Sequence, residues 1–406
     1  MNEQKSENHC RGHVARDWPV VCPEIRDPKE VAVVRGSVRV QHCKFSGQLS
    51  SGTGQIFYIL TERIHPEYNA VYRRGPDSMQ ERSIRHKDSR PKVRYSFLKI
   101  MTGSDLSRRR LPFMLAQSAQ PGPIVWLAGC VHGDEVGGIV VIQEVFRKIR
   151  KGDLVRGSVC AFPLMNPIGF ETGSRNITLS KEDLNRAFPG SVSGSLAERI
   201  AHRIFTTIVE TSPTVVLDLH NDWIKSIPHT LIDQDPGGSH RKAYQMAKSV
   251  AQKTGFLVVL DTDELKKTLS YSLLQHDIPA LSIELGESYV VNERNVEYGV
   301  KSVLNILSHL GMIESTGFFT YQVLDVFKDK VLKFSNQPVS SSSGIIRFLE
   351  RPGSLVRKGQ PVAKIYNTFG KLQETITALH DGIVLGHSDS SVAFPGAPVM
   401  AFGIAE

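Results

Sequence analysis

One short stretch, VWLAGCVHGDEVGGIV at residues 125–140, places a histidine and a glutamate where they can share a metal ion. His132 and Glu135 are separated by two residues in a Gly-rich turn that follows an apolar run. At the end of a strand, this spacing lets an imidazole nitrogen and a carboxylate oxygen approach one ion. A His-x-x-Glu pair is common by chance, so a metal site also requires a third ligand elsewhere in the chain.

The candidate third ligand, His220, follows the apolar run TVVLDL, which predicts a buried strand. A catalytic zinc site uses three His or Glu ligands and leaves one position open for water. Asp218 precedes His220 by two residues and shares a strand face with it, so we expect it to hold the second imidazole nitrogen. Glu284, in the run SIEL, is the candidate general base, because an unused carboxylate in a buried strand is unfavourable.

A long loop at residues 166–190 carries the residues that we expect to bind an anionic substrate, since connections of this length are usually functional. Asn185 and Arg186 are predicted to hold a substrate carboxylate, because a guanidinium presents paired donors that match it. Arg175 is predicted to stabilise the negative charge that develops on the attacked oxygen. Taken alone, each of these residues would be an ordinary solvated loop residue.

From residue 95 onward, short apolar runs alternate with segments of helical apolar spacing. The predicted strands span residues 95–100, 111–116, 124–128, 158–163, 214–219, 256–260 and 282–285, and the predicted helices span residues 135–150, 196–210, 241–254 and 295–310. This alternation predicts an α/β layered sheet with helices on both faces. Because ligand sites gather at the carboxyl ends of strands in such sheets, the candidate residues are expected to meet there.

After residue 311 the sequence changes to short β-prone runs separated by turn residues. The predicted strands are residues 320–327, 344–348, 362–365, 375–378 and 382–385. They predict a C-terminal all-β domain at residues 319–406. Its sequence resembles a barrel of the lipoyl/biotinyl type, but Lys371 lacks the context of a modified lysine. We therefore expect this domain to shield the active-site mouth or to make contacts in a homo-oligomer.

The composition, the charge and the cysteine content of the chain indicate which classes of protein and partner to expect. The chain has 406 residues, 40% of them hydrophobic, as expected of a globular protein with two or three domains. Most of the net charge of +8 lies in residues 1–94, which are predicted to be a partly disordered N-terminal extension. No nucleic-acid-binding module and no membrane-spanning run is recognisable, so neither partner is expected. Five cysteines without a CxxC pair and a polar N-terminus predict a cytoplasmic protein.

The motifs GCVHGDE, DLNRAFPG, VLDLH and SIELG together resemble the succinylglutamate desuccinylase/aspartoacylase family, which is related to zinc carboxypeptidases. The resemblance runs from about residue 95 to the C-terminus. It implies a carboxypeptidase-like mixed sheet in residues 95–318, one zinc ion per chain and a C-terminal β-domain. The site residues that it implies are His132, Glu135 and His220 for zinc, Glu284 for proton transfer, and Arg175, Asn185 and Arg186 for the substrate.

These features predict a zinc-dependent hydrolase that removes an acyl group from an N-acylated amino acid or a related small amide. Aspartoacylase uses an arginine shortly before its catalytic glutamate, whereas this chain has Lys266 and Lys267 there and no arginine. Deacylases of N-acetylated diamino acids, which belong to the same family, fit this departure. Two alternatives are a metallocarboxypeptidase that acts on small peptides and a non-catalytic binding protein with a vestigial zinc site.

Overall fold

The computed structural model of the protein describes residues 90–103, 106–262, 266–315, 317–322 and 327–405. The prediction of a partly disordered extension falls almost entirely on residues 1–89, which lie outside the described residues. The first described strand begins at Lys92, slightly before the predicted start at residue 95. In the described part of the chain, no helix is both long enough and apolar enough to cross a membrane.

Strands alternate with helices as far as residue 309, and described residues 331–405 contain strands without helices. The strands are β1 (Lys92–Thr102), β2 (Arg108–Gln117), β3 (Ile124–Gly129), β4 (Ser158–Phe162), β5 (Val215–Asp222), β6 (Lys225–Ser226), β7 (His229–Ile232), β8 (Val258–Leu260), β9 (Ala280–Glu287), β10 (Val331–Ser335), β11 (Gly344–Phe348), β12 (Leu355–Val356), β13 (Pro361–Tyr366), β14 (Leu372–Thr377), β15 (Gly382–His387), β16 (Val392–Ala393) and β17 (Met400–Ile404). The helices are α1 (Gly137–Lys148), α2 (Pro167–Glu171), α3 (Leu196–Val209), α4 (Arg241–Ala251), α5 (Leu269–Leu274) and α6 (Glu293–His309).

A thirteen-stranded mixed sheet runs through the described residues in the order β1-β2-β4-β3-β5-β9-β7-β8-β10-β17-β15-β12, with β6 paired to β15. Its central strands β3, β5 and β9 are parallel, whereas β7 is antiparallel to β9. Helices α1, α4 and α6 pack on one face, and α3 and α5 pack on the other. Burial on both faces explains why the central strands are nearly continuous apolar runs. The predicted mixed sheet with helices on both faces is confirmed.

The C-terminal strands divide between two sheets. Strands β10, β12, β15 and β17 continue the large sheet, and β14, β13, β11 and β16 form a separate four-stranded sheet. Apolar side chains from both groups, such as Val362, Ile365, Val384 and Phe402, form one core cluster. The lipoyl-type barrel stays a prediction. The strand predicted at residues 320–327 is not observed, because the described residues in this range are not in a strand.

The long loop contains two short helical segments that the apolar pattern did not predict: α2 and a 3₁₀ turn at Leu184–Arg186. Asn166 caps α2 by accepting a hydrogen bond from the backbone N of Gly169 at 2.9 Å. Asp183 caps the 3₁₀ turn by accepting one from the backbone N of Asn185 at 2.8 Å. Because side-chain caps specify these turns, the hydrophobic periodicity carries no signal for them. The loop is therefore held in a defined conformation.

Candidate active site

The predicted metal and proton-transfer residues meet on one face of the sheet, where β3, β5 and β9 lie side by side. Glu135 lies in the turn before α1, which begins at Gly137 and not at residue 135 as predicted. His220 lies within β5, and its Cα is the register partner of the Glu284 Cα in β9. Register partners on neighbouring strands point to the same face, so both side chains emerge together beside the turn.

Three buried side chains converge at this position, since His132, Glu135 and His220 are only 2%, 3% and 4% exposed. The Nδ1 atoms of His132 and His220 lie 2.5 Å and 3.1 Å from the two Glu135 carboxylate oxygens. One ligand atom from each residue lies within 4.8 Å of the others. Burial alone would raise the pKa of Glu135, but the two imidazoles lower it, so its carboxylate stays ionised. Two imidazoles and one buried carboxylate form a donor set that fits a divalent metal such as zinc.

The second nitrogen of each imidazole faces a carboxylate. His220 Nε2 lies 2.9 Å from Asp218 Oδ2, and His132 Nε2 lies 3.2 Å from Asp183 Oδ1. Such contacts orient the rings, and both Nδ1 atoms face the Glu135 carboxylate. Sequence reasoning predicted Asp218 but missed Asp183, whose only sequence signal is its capping position before Leu-Asn-Arg. Burial opposes ionisation of Asp183, but the hydrogen bond with His132 and the charge of Arg175 lower its pKa.

Replacing Asp218 by Asn tests the contact with His220. We expect Asp218→Asn to weaken zinc binding by roughly 10- to 100-fold, because the amide supports the imidazole less well than the carboxylate. Competition with a chromophoric chelator measures the affinity. Asp235→Asn is a matched control, since Asp235 is exposed and its carboxylate only caps the backbone of Gly237. Equal zinc affinity in Asp218→Asn and the wild type would contradict this role.

Glu284 lies beside the metal-ligand group with a carboxyl oxygen that is inaccessible to solvent. This atom, Oε2, has no hydrogen-bond partner among the described residues. Burial raises the pKa of Glu284 well above its ordinary value; His220 opposes the rise, and the charges of Asp222, Glu135 and Asp261 add to it. A buried carboxyl without a partner is unfavourable for stability, and a raised pKa suits a group that exchanges protons near neutral pH.

Arg175 extends from the long loop to the metal-ligand group. Its Nη1 lies 3.7 Å from Glu135 Oε1, and its Nη2 donates to Asp183 Oδ2 at 3.1 Å. The side chain is about half exposed (47%), so the guanidinium lies between the buried ligands and solvent. A permanent positive charge at this position can stabilise negative charge that develops next to the ligands.

Asn185 and Arg186 lie on the 3₁₀ turn of the same loop. The Asn185 Oδ1 accepts a hydrogen bond from the backbone N of Leu269 at 3.1 Å, which leaves its Nδ2 to donate to a ligand. The Arg186 Nη1 donates to the backbone carbonyl of Asn185 at 2.8 Å. Within the described ranges, Arg186 forms no ion pair within 4.0 Å. Its guanidinium is therefore available to an anionic group.

Gly133 allows the metal-ligand turn to lie directly against the long loop. A Cβ at this position would lie 2.0 Å from the carbonyl carbon of Gly169 and 2.2 Å from the backbone N of Phe170. The backbone N of Gly133 donates to the carbonyl of Ser174 at 3.0 Å. The glycine in the HGDE motif therefore sets the distance between the metal ligands and the loop that carries the predicted substrate residues.

Tyr289 anchors Asp134 beside the metal-ligand group. Its backbone N donates to the Asp134 carbonyl at 2.9 Å. Burial, then the charge of Asp134 and the hydrogen bond to its carboxylate, raise the pKa of the Tyr289 hydroxyl. Tyr289 has φ 65°, which is unusual for an aromatic residue and is found mainly where the surrounding structure constrains the backbone. Asp134 is thus anchored in the loop next to the site.

Comparison with known proteins identifies a catalytic domain in this chain. Residues 121–310 match the model of the succinylglutamate desuccinylase/aspartoacylase catalytic domain. The chain is 29% identical over 295 residues to N-alpha-acetyl-L-2,4-diaminobutyric acid deacetylase of Halomonas elongata, an alignment that covers 68% of this chain and 80% of the relative. This relative acts on an N-acylated amino acid.

Solved structures support the same fold. The product-bound ectoine utilization protein EutE (DoeB) of Ruegeria pomeroyi matches with a TM-score of 0.67 at 20% identity, over 78% of this chain and 97% of that protein. The succinylglutamate desuccinylase/aspartoacylase of Rhodobacter sphaeroides matches with a TM-score of 0.67 at 21% identity, over 79% of this chain and 97% of that protein. Residues 121–310 therefore belong to the succinylglutamate desuccinylase/aspartoacylase catalytic-domain family, and the solved structures show that the fold is shared.

Proposed function

We propose that the protein is a zinc-dependent deacylase that hydrolyses the amide bond of an N-acylated amino acid, with N-acetylated diamino acids as the preferred class. One observation carries the proposal: the buried group of His132, Glu135 and His220 lies next to Glu284, whose carboxyl Oε2 is inaccessible to solvent and has no hydrogen-bond partner among the described residues. The H. elongata relative, named for the deacetylation of a diamino acid, supports the substrate class.

In this reaction, His132, Glu135 and His220 would hold one zinc ion, which would supply a Lewis acid that lowers the pKa of water and polarises the amide carbonyl. Glu284 takes a proton from the attacking water and delivers it to the leaving nitrogen. Arg175 stabilises the negative charge on the carbonyl oxygen. The water oxygen joins the acyl carbon, the C–N bond breaks, and the products are a carboxylate and a free amine.

Asn185 and Arg186 bind the α-carboxylate of the substrate. Two features of the described residues support this role: Asn185 Nδ2 donates no hydrogen bond there, and Arg186 forms no ion pair there. Together they supply a neutral donor and a planar, charged donor pair, the combination that suits a carboxylate. Binding of the carboxylate by these two side chains fixes the position of the amide relative to Glu284, so that the reacting atoms meet in one orientation.

In this proposal, the C-terminal strands form one side of the substrate cleft. Strand β6 pairs with β15 through Ser226 and Gly386, next to the loop that follows the ligand strand β5. The backbone N of Ile224 donates to Asp389 Oδ1 at 2.6 Å. Asp389 is also close enough for its charge to raise the pKa of Tyr289. These contacts support a shielding role for the C-terminal region.

Two buried thiols support a reducing, cytoplasmic location. Cys130 and Cys160 are buried and unpaired. Burial raises the pKa of the Cys160 thiol to about 12, and burial with the charges of Glu135 and Asp134 raises that of Cys130, so both remain protonated. Protonated, buried thiols resist oxidation, and such cysteines are usual in reduced compartments.

A hydrolysis screen with the full-length, zinc-loaded protein tests the function. We expect amine release from N-acetylated diamino acids, loss of turnover when a chelator removes the metal, and recovery when zinc is restored. The screen should include N-acetyl, N-succinyl and N-formyl amino acids and a set of dipeptides. Turnover of the dipeptides alone would instead support a metallocarboxypeptidase. Stoichiometric zinc with no turnover of any compound would support a binding protein.

A further inference from the structure

The side chain of Asn221 connects three of the elements that carry the proposed catalytic groups. Asn221 directly follows the predicted ligand His220 on β5 and is only 7% exposed. Its Oδ1 accepts a hydrogen bond from the backbone N of Gly137 at 3.0 Å. Its Nδ2 donates to the carbonyls of Gly286 and Glu287, at 3.0 Å and 2.8 Å. One buried amide therefore joins the ligand strand β5 to the start of α1 and to the end of β9.

The bond to Gly137 supplies a cap at the start of α1. Gly137 is the first residue of this helix, and Val136 at the N-cap makes no side-chain hydrogen bond to it. The first backbone N–H groups of a helix have no partner within the helix, so a buried one needs an acceptor from elsewhere. Asn221 provides that acceptor two residues after Glu135. It thereby holds the end of the metal-ligand turn, which carries His132 and Glu135.

Gly137 and Gly138 bring the helix close enough for this contact. A Cβ on Gly137 would lie 2.8 Å from Asn221 Oδ1 and 2.9 Å from Asn221 Nδ2, which is shorter than the contacts that a Cβ makes in proteins. A Cβ on Gly138 would lie 2.9 Å from the carbonyl oxygen of Leu219. The paired glycines at the end of the motif HGDEVGG therefore allow α1 to begin directly against the ligand strand.

The two bonds from Nδ2 hold a β-bulge that follows Glu284. His220 is the register partner of Glu284. Two residues farther along β5, however, Asp222 pairs with Glu287, which is three residues farther along β9. β9 therefore contains one extra residue directly after Glu284, and such bulges leave backbone groups without partners in the ladder. The Asn221 amide binds two carbonyls of this segment, so it fixes the path of the chain next to Glu284.

We propose that Asn221 is a positioning residue that fixes Glu284 relative to the metal-ligand turn. Its amide holds the turn through the oxygen and the bulge through the nitrogen, so a shift of either element breaks a buried hydrogen bond. Asparagine suits this position, because the contacts require one acceptor and two donors on a short side chain. This inference rests on the proposed function, since that function assigns the proton transfer to Glu284.

Asn221→Asp tests the contact with the bulge in the full-length, zinc-loaded protein. Aspartate has the same shape and still accepts from Gly137, but its carboxylate cannot donate to the two carbonyls. We expect kcat to fall by roughly 10- to 100-fold, the effect of a small displacement of a reacting group. KM should stay within about threefold of the wild type, because Asn185 and Arg186 bind the substrate from another loop. Steady-state amine release measures both constants.

Asn221→Ala tests the contact with the metal-ligand turn as well, because alanine removes both contacts. We expect the same fall in kcat and zinc binding that is about tenfold weaker, the lower end of the effect of residues that support a ligand. Asn221→Asp should keep zinc affinity within about threefold of the wild type, since it retains the bond to Gly137. Competition with a chromophoric chelator measures the affinity.

Asn305→Ala is the matched control, because Asn305 is also a buried asparagine whose amide makes two hydrogen bonds to backbone groups. Both bonds are to Phe319, at 2.8 Å and 3.0 Å, and Asn305 lies on α6. Asn305→Ala should lower the melting temperature as Asn221→Ala does, but keep wild-type zinc affinity and kcat. Equal losses of kcat in the two alanine variants would mean general destabilisation and would overturn the proposal.

A double-mutant cycle with Glu284→Gln tests whether Asn221 acts through Glu284. In the Glu284→Gln background, Asn221→Asp should change kcat by less than about threefold, because the group that Asn221 positions has already been removed. If Asn221→Asp instead lowered kcat by the same factor in both backgrounds, Asn221 would not act through Glu284 and the proposal would be overturned.

The zinc measurement keeps this inference distinguishable from failure of the proposed function, because it requires no turnover. Weaker zinc binding in Asn221→Ala, but not in Asn221→Asp or Asn305→Ala, supports the inference even if no N-acyl compound is hydrolysed. Equal zinc affinity in Asn221→Ala and the wild type overturns it even if hydrolysis is observed.

Discussion

Glu284→Gln is expected to bind zinc as the wild type does and to lose about 10²- to 10⁴-fold in kcat, the usual contribution of a general acid–base. Glutamine has nearly the same size and keeps one oxygen, so the packing between β5 and β7 is preserved. It cannot accept a proton from water at neutral pH or return it to nitrogen. Elemental analysis of the purified variant measures zinc, and steady-state amine release measures kcat.

Glu287→Gln is a matched control for this variant, because Glu287 lies on the same strand but outside the metal-ligand group. Its Oε2 accepts a hydrogen bond from Asn292 at 2.6 Å, a contact that serves the start of α6. We expect Glu287→Gln to keep wild-type zinc content and kcat within about threefold, as for most substitutions away from a reacting centre. If Glu284→Gln kept kcat within tenfold of the wild type at full zinc content, another residue would have to move the proton.

The grouping of the principal residues of the candidate site could be predicted from the sequence because each has a local signal. His132 and Glu135 lie in one turn after a strand, and His220 and Glu284 lie in apolar runs that a parallel strand requires. Because β5 and β9 are parallel neighbours, their carboxyl ends lie at the same edge of the sheet. The pairing of these two runs is therefore sufficient to predict that His220 and Glu284 lie close together. The structure then added the register that makes His220 and Glu284 direct neighbours.

The placement of His229 beside Glu284 could not be predicted in the same way. It depends on β7, a four-residue strand that returns antiparallel to β9 and that apolar periodicity did not reveal. That reversal carries His229 to the level of Glu284. Long-range pairing of β8 with β10, which joins the C-terminal strands to the large sheet, was missed for the same reason.

The metal dependence of the whole arrangement is tested by His132→Ala. We expect this variant to lose stoichiometric zinc and all measurable turnover, because two protein ligands do not form the three-ligand site that catalysis needs. Zinc that binds the folded state stabilises it, by about 2.7 kcal/mol at a free concentration 100 times Kd. A chelator should therefore lower the melting temperature of the wild type and leave that of His132→Ala unchanged.

His240→Ala is the matched control, because His240 is a partly exposed histidine that contacts Asp277 at 3.0 Å, outside the metal-ligand group. It should keep its zinc, its turnover and the chelator-induced fall in melting temperature. The comparison separates metal loss from general destabilisation, since only a ligand variant should become insensitive to the chelator. Stoichiometric zinc and a chelator response in His132→Ala would place the metal elsewhere, and Glu135 would then require another positive partner for its buried charge.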